Sequence, residues 1–559
     1  MRAYQFLRLS RAINWAQSPS CRMESQAVLA AMRHSSSIAG TLGAAQVVAS
    51  SSLTARCNST SFADLDVFGA EVISVEAIPL DNYTAFIAAD GETPATTYSG
   101  VNVCNLTITY THPGRDDTIN VNAWLPLDNW NGRFVASGGG GWRTGVPSDS
   151  LAPIASQGFA TASTDGGHPI YEQNAAPWAL NSPGNVNLNL FQDFASIALN
   201  DLGLFGKQAT QLFYQKAADY SYWNGCSTGG RQGLMVAQRY PDIFDGILAI
   251  APAINWGYFL PAEFWPQHFM NRLGYHPTPD ELEAITAAAV EACDELDGVK
   301  DGIISAPDEC HFDAETLVGQ TYSPRNGTQR IITSEAARIA NAAWTGPRSP
   351  NGLYDWYGLT HGTNLTLGLV ATECKNESAS SCVGKPFSIV EEWFKLFVMR
   401  DPEFDISNIT DRQYFDLIHK SVQEYDSIIG TSDPDLEPFK RYGGKMITWH
   451  GLSDELIFPN GTVDYYQRVL ELDPEASDFY RYFEAPGVQH CRGGPGPLPS
   501  GALNALISWV ENGTAPETLL ASKTGVQGGT TIERELCAWP KKQTYVGGDP
   551  NVKGSFECV

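Results

Sequence analysis

Between about residues 115 and 260, short apolar runs alternate with stretches of helical spacing. This is the pattern of βαβ units, in which a parallel sheet grows strand by strand with a helix between. Phe134-Val135-Ala136-Ser137 is a predicted strand running into Gly138-Gly139-Gly140-Gly141, and Gly158 to Thr164 is a second. A helix is predicted from about Phe191 to Tyr214, a short strand at Tyr220-Ser221-Tyr222-Trp223, a helix over Arg231 to Arg239 and a strand from Phe244 to Ile250. After Pro252 the pattern changes to helical spacing, tryptophans and loop signals with few strand-like runs. One helix start is clear there: Thr278-Pro279-Asp280-Glu281 offers an N-cap, a proline at the first helical position and a glutamate at the third. Strand-like sequence returns at Lys445-Met446-Ile447-Thr448-Trp449-His450. The prediction is an α/β catalytic domain split into 57–252 and 431–559, with residues 253–430 inserted as a lid.

Length and charge narrow the possibilities. A chain of 559 residues buries a large core. A net charge of -26 repels phosphate backbones, which excludes nucleic acid as an expected partner. No apolar run reaches 18 residues, so no membrane span is expected. Residues 1–56 read as a leader. Met32-Arg33-His34, followed by the apolar stretch Ile38 to Ala49, has the form of a signal peptide and points to translation starting at Met32. Of eleven cysteines, Cys21 lies in that leader, and the remaining ten form an even set. Their spacing suggests Cys57–Cys104, Cys226–Cys491, Cys293–Cys310, Cys374–Cys382 and Cys537–Cys558. Nine N-x-S/T sequons, at Asn58, Asn82, Asn105, Asn326, Asn364, Asn376, Asn408, Asn460 and Asn512, add to the expectation of a secreted glycoprotein.

The chemistry concentrates in two short segments. Gly225-Cys226-Ser227-Thr228-Gly229 has the G-x-S-x-G form of a nucleophile elbow, between a predicted strand and a predicted helix. A serine hydroxyl is a weak nucleophile until a base takes its proton. His490, in Gly487-Val488-Gln489-His490-Cys491, is the expected base. Asp454, just after the strand that ends near His450, is the expected acid that fixes the imidazole tautomer; His450 and Glu455 are its near rivals, and His450, which ends the strand, is expected to be structural. The chain order Ser, Asp, His is that of α/β-hydrolases. The N–H of Thr228 and one from Gly139 or Gly140 would form the oxyanion hole. Cys226 precedes the serine and Cys491 follows the histidine, so one disulfide would clamp nucleophile to base.

A second constellation is Cys293-Asp294-Glu295-Leu296-Asp297-Gly298-Val299-Lys300-Asp301-Gly302-Ile303. Carboxylates at i, i+3 and i+7 with two glycines suit a hard cation, though the spacing is not that of an EF-hand. A structural calcium held by Asp294, Asp297 and Asp301, with the carbonyls of Val299 and Ile303, is expected. Trp256, Tyr258, Phe259, Trp265, Trp393 and Phe394 in the insertion are candidates to stack on an aromatic substrate.

Together these residues resemble the fungal tannase and feruloyl esterase family. The resemblance rests on Cys226-Ser227, Asp454 and His490-Cys491, and also on Ser137 to Gly141, Thr164-Asp165-Gly166-Gly167-His168, the Asp294–Ile303 loop, Asp433-Pro434-Asp435-Leu436 leading to Gly443-Gly444-Lys445, and Leu536-Cys537-Ala538-Trp539-Pro540. It runs from about Cys57 to Cys558. It implies an α/β-hydrolase core, a calcium-binding lid and hydrolysis of aromatic-acid esters, chiefly feruloyl esters linked to plant polysaccharide, with galloyl esters (a tannase activity) as the alternative. The family also includes terephthalate monoester hydrolases. The extended N-terminus is not typical of it, and the insertion carries Cys374 and Cys382 in place of a short-range pair soon after Cys310. A secreted serine carboxypeptidase and a non-catalytic glycoprotein are the remaining readings. The first would need a pocket for a free carboxylate, and the second would have no use for an intact triad.

Overall fold

The computed structural model describes residues 53–559 except 88–94, 172, 325–326, 328, 376–378 and 527–528. Residues 1–52 of the expected leader, with the start at Met32, and the sequons at Asn326 and Asn376 lie outside the described residues. Nine strands form the central sheet: β1 Glu71–Ile87, β2 Thr96–Thr111, β3 Ile119–Pro126, β4 Arg133–Ser137, β5 Ala160–Thr164, β6 Tyr220–Cys226, β7 Gly246–Ile250, β8 Lys445–Gly451 and β9 Tyr480–Ala485. Their spatial order is β1-β2-β3-β5-β4-β6-β7-β8-β9. From β5 onward the pairing is parallel, while β1, β2 and β3 extend the sheet as an antiparallel meander.

The parallel strands are buried on both faces, and side-chain alternation sorts them into two cores. Phe134, Ala136, Trp223, Ile247 and Met446 face one way. They pack with Leu199, Leu202 and Phe205 of α1 (Ala198–Tyr214) and with Leu234 and Val236 of α2 (Thr228–Arg239). Val135, Tyr222, Leu248, Ile447 and Trp449 face the other way, against Leu506 and Trp509. Each such fully buried apolar side chain contributes about 1.5–3 kcal/mol.

Strands β7 and β8 are direct neighbours in the sheet, yet about two hundred residues of chain separate them. Among the described residues that segment adds no strand to the sheet; its own strands are two- and three-residue pairs such as Thr372–Cys374 with Cys382–Gly384. It opens with α3 (Trp256–Glu263) and includes α4 (Pro279–Cys293), where Thr278 caps the helix by accepting from the Glu281 N–H, and α5 (Asp411–Ile429). Its apolar cluster is shared with Trp142, Trp178, Phe191 and Phe194, so the insertion is packed onto the rim of the sheet. The described residues accordingly fall within one compact unit.

Two elements are longer than the sequence pattern indicates. β6 continues through Gly225 to Cys226, and α2 begins at Thr228 rather than Arg231, so no loop residue separates strand and helix except Ser227. All five expected disulfides are present. Such a set persists in oxidising compartments. No helix among the described residues is long and apolar enough to cross a membrane.

Candidate active site

The turn at Ser227 is forced by its surroundings. Ser227 has φ 64° and ψ -124°, a conformation that L-residues hold only when the fold over-determines it. Strand and helix cross closely here: a Cβ on Gly225 would sit 2.5 Å from the Gly229 carbonyl oxygen, and one on Gly229 2.8 Å from that of Gly139. The Ser227 N–H donates to Ile250 O at 3.0 Å, and its carbonyl accepts from Arg231 and Ala253. Arg231, fully buried, donates to the carbonyls of Ala195 (2.8 Å) and Phe194 (3.1 Å). Both carbonyls belong to a π-helical turn over residues 193–197. Arg231 thereby ties the start of α2 to the segment before α1.

Asp454 follows β8 and is completely buried. Its Oδ2 accepts from His490 Nδ1 (2.8 Å) and from His450 Nε2 (3.1 Å), and its Oδ1 accepts from the Leu456 (2.9 Å) and Ile457 (2.8 Å) N–H groups. Burial alone would raise this carboxyl. The charge of His490 and the hydrogen bonds of both histidines outweigh burial and hold it well below the usual range. An ionised carboxylate only accepts, so His490 carries its proton on Nδ1 and leaves Nε2 with a lone pair. His450, expected to be structural, holds the carboxylate from behind while its Nδ1 contacts Thr462 Oγ1 at 2.9 Å. Glu455 accepts from the His490 N–H at 3.1 Å, so it fixes the backbone of the loop and leaves the imidazole to Asp454.

Ser227, Thr228 and His490 line one cavity. Its other walls are Gly141, Ala253, Trp256, Phe259, Leu260, Glu263, Phe387, Ile389, Leu456 and Ile457. The disulfide Cys226–Cys491 joins the residues next to Ser227 and His490, with Cα atoms 6.0 Å apart. Of the six aromatic candidates, Trp256 and Phe259 reach this cavity. Tyr258 stacks on Trp356, Trp265 lies against Tyr414, Trp393 packs in the core beside Phe397, and Phe394 meets Phe264. Phe387, Ile389, Leu456, Ile457 and Glu263 were not foreseeable, because they come from distant segments with no local signature.

The oxyanion expectation narrows. Thr228 opens α2, where a backbone N–H has no intrahelical acceptor. Gly139 is corrected: its N–H donates to Gln232 Oε1 at 3.0 Å, and Gln232 Nε2 in turn donates to Thr144 O. Gly140 is the remaining one of the two glycines, and neighbouring Gly141 lines the cavity while its carbonyl accepts from Thr228 Oγ1 at 2.8 Å.

In the acidic loop, Asp294 accepts the N–H groups of Asp301, Gly302 and Ile303, and Asp301 Oδ2 pairs with Arg534 at 2.8 Å. Asp297 Oδ2 is buried without a hydrogen-bond partner. Burial first, then neighbouring acidic charge, raises the Asp297 and Asp301 carboxyls, with Arg534 opposing this at Asp301. An orphaned buried oxygen among crowded acids is the environment a hard cation relieves. The carboxylate oxygens of the loop do not all lie close together. Among the described residues, the one such set of three within 4.8 Å is His112, Asp117 and Asp193. There Arg115 already contacts both acids, and hydrogen bonding to Asp201, opposed by burial, pushes His112 up to about 9, so the positive charge is in place.

A strained serine at a strand-to-helix turn, a parallel sheet in this order and a buried Asp–His pair beside the serine define an α/β-hydrolase. The sequence model described as tannase and feruloyl esterase matches residues 104–559, and the chain belongs to that family. It is a carboxylic ester hydrolase. A probable feruloyl esterase of Arthroderma benhamiae is 40% identical over 498 residues, covering 88% of this chain and 91% of the relative. Among solved structures, feruloyl esterase B from Aspergillus oryzae is 31% identical with a TM-score of 0.75, covering 91% of this chain and 100% of the other. Tannin acyl hydrolase from Aspergillus niger is 27% identical with a TM-score of 0.78, covering 91% and 94%.

Proposed function

We propose that this chain is a secreted feruloyl esterase that works through an acyl-enzyme on Ser227. The observation that carries the mechanism is the 2.8 Å contact of His490 Nδ1 with Asp454, behind a cavity lined by both His490 and Ser227. His490 Nε2 takes the Ser227 proton as Oγ bonds to the ester carbonyl carbon. The oxyanion that forms is met by the N–H groups of Thr228 and Gly140. His490 then protonates the departing alcohol, and the C–O bond to it breaks. Water, deprotonated by His490, attacks the acyl-serine and releases the free acid.

The cavity lining favours a hydroxycinnamoyl over a galloyl group. Its walls are mostly apolar, with Glu263 as the one acidic side chain. A galloyl ring brings three hydroxyls, each of which costs free energy when buried without a partner. A feruloyl group brings one hydroxyl and an apolar propenoyl arm. The galloyl reading keeps support from the likeness to the Aspergillus niger tannin acyl hydrolase. Release of acid from methyl ferulate and methyl gallate, measured side by side, separates the two. Gallate release alone would make the enzyme a tannase.

The base must be neutral to accept the serine proton. Burial would lower the His490 pKa, but the charge and hydrogen bond of Asp454 and the charge of Glu455 raise it above 6.5 overall. Activity therefore rises with pH through a pKa above that value. A kcat/KM profile on methyl ferulate should show its acid limb there; a limb at or below 6.5 would count against this assignment.

We also infer that residues 253–430 act as a lid and that the loop from Asp294 to Ile303 holds calcium through Asp294, Asp297 and Asp301 with the Val299 and Ile303 carbonyls. The orphaned Asp297 oxygen supports this. Bound calcium would neutralise the loop and brace it against Arg534 of the C-terminal hairpin, far in sequence from the loop. At calcium about 100-fold above its Kd, the ion would add about 2.7 kcal/mol. Thermal melts with EGTA should show a lower midpoint, restored by added calcium. An unchanged midpoint would remove calcium from the account.

A further inference from the structure

Helix α3 presents Trp256, Phe259, Leu260 and Glu263 at helical spacing, and all four line the cavity that holds Ser227 and His490. Three are apolar, as an acyl pocket requires. The fourth is a carboxyl 2% exposed, with Oε2 buried and without a hydrogen-bond partner. Among the described residues no cation and no donor reaches its side chain. Trp256 Nε1, two turns away on the same face, is likewise unpartnered. A buried polar group without a partner is rare in native proteins, and at the wall of a binding cavity it marks a place where a ligand supplies the partner.

We propose that Glu263 is a specificity-determining residue that hydrogen-bonds the ring hydroxyl of the aromatic acyl group. Burial, and secondarily the charge of Asp454, keeps its carboxyl protonated well above the usual range. A neutral carboxyl offers one O–H donor and a carbonyl acceptor, which match a phenol that also donates and accepts. An ionised carboxylate at that site would set a second negative charge near Asp454. A ligand without the hydroxyl leaves the carboxyl unpaired, which is how polar pockets reject apolar analogues. This role deepens the feruloyl-ester reading above and rests on it.

The test compares methyl ferulate with methyl 3,4-dimethoxycinnamate, in which the hydroxyl is methylated, and with methyl cinnamate. Wild type, Glu263→Gln and Glu263→Leu are assayed, and fluorophosphonate labelling of Ser227 shows which variants are folded. Wild type should prefer ferulate about tenfold in kcat/KM over both analogues. Glu263→Leu should erase that preference, and Glu263→Gln, which keeps a donor and an acceptor, should retain most of it. Equal rates on ferulate and its analogues in wild type would overturn the proposal without any variant having to fold. So would a folded Glu263→Leu that keeps the preference. Wild type that cleaves no cinnamoyl ester, while still labelling at Ser227, would instead overturn the substrate reading on which this role rests.

Discussion

Ser227→Ala should fold normally and lose about 10⁴-fold or more of kcat on methyl ferulate. The side chain being removed is small, and the strained backbone at this position is set by Gly225, Gly229 and the Ile250 carbonyl rather than by the hydroxyl. Alanine tolerates the positive φ about as well as serine does, so the melting midpoint should stay within a few degrees. What disappears is the atom that forms the acyl-enzyme. Residual turnover of about 10³-fold over water is expected from the oxyanion donors and from binding alone. Initial rates on methyl ferulate and methyl gallate, with the melt measured on the same sample, check both halves. A variant that keeps more than a hundredth of wild-type kcat would remove Ser227 from the mechanism.

The elements of this site differ in how legible they are in the sequence. The elbow is a local signal, because its two glycines, the strand before it and the helix after it all fall within a few residues. Asp454 is legible from chain order and its place after a predicted strand, and His490 from its late position in the chain, while Cys226 and Cys491 tie the serine to the histidine. The ten paired cysteines were also readable, since most bridges close short loops or join marked segments. Four strands of the sheet escape a reading of the sequence, β1, β2, β3 and β9; β1 and β2 carry many exposed polar positions, and the sheet is recognised mainly by its central apolar parallel strands.

The walls of the cavity were legible only in part. Trp256 and Phe259 announced themselves as aromatics, but Tyr258 between them points elsewhere, and only the helical phase of α3 decides which residues face the substrate. Glu263 looks like any helix glutamate in sequence, because its burial arises only once the chain is folded. The competition for Gly139 by Gln232 is equally invisible, since a side chain roughly ninety positions away takes the amide. Partners that meet only in the fold leave no local trace.

Replacing both Cys226 and Cys491 by serine should reduce kcat by about 100-fold or more, even in the fraction of protein that remains folded. The bridge spans 265 residues. In the chain-entropy account a loop of that length adds about 5–6 kcal/mol to stability, an upper figure because denatured chains retain structure. Its position has a second consequence. Cys491 has a positive φ of 63°, so the histidine end of the clamp is a backbone that relaxes when unconstrained. Relaxation at Cys491 moves His490, and a displacement of about 1 Å between base and nucleophile costs about 100-fold. The Asp454 contact holds one side of the imidazole but does not fix its distance from Ser227. The decisive comparison is kcat against folded fraction, with circular dichroism measured at the assay temperature. A double variant with a lower melting midpoint but unaltered kcat when folded would make the bridge a stabiliser alone. A fall in kcat at full folding would make it part of the catalytic geometry, and mild reduction of the wild type should then abolish activity before the ellipticity changes.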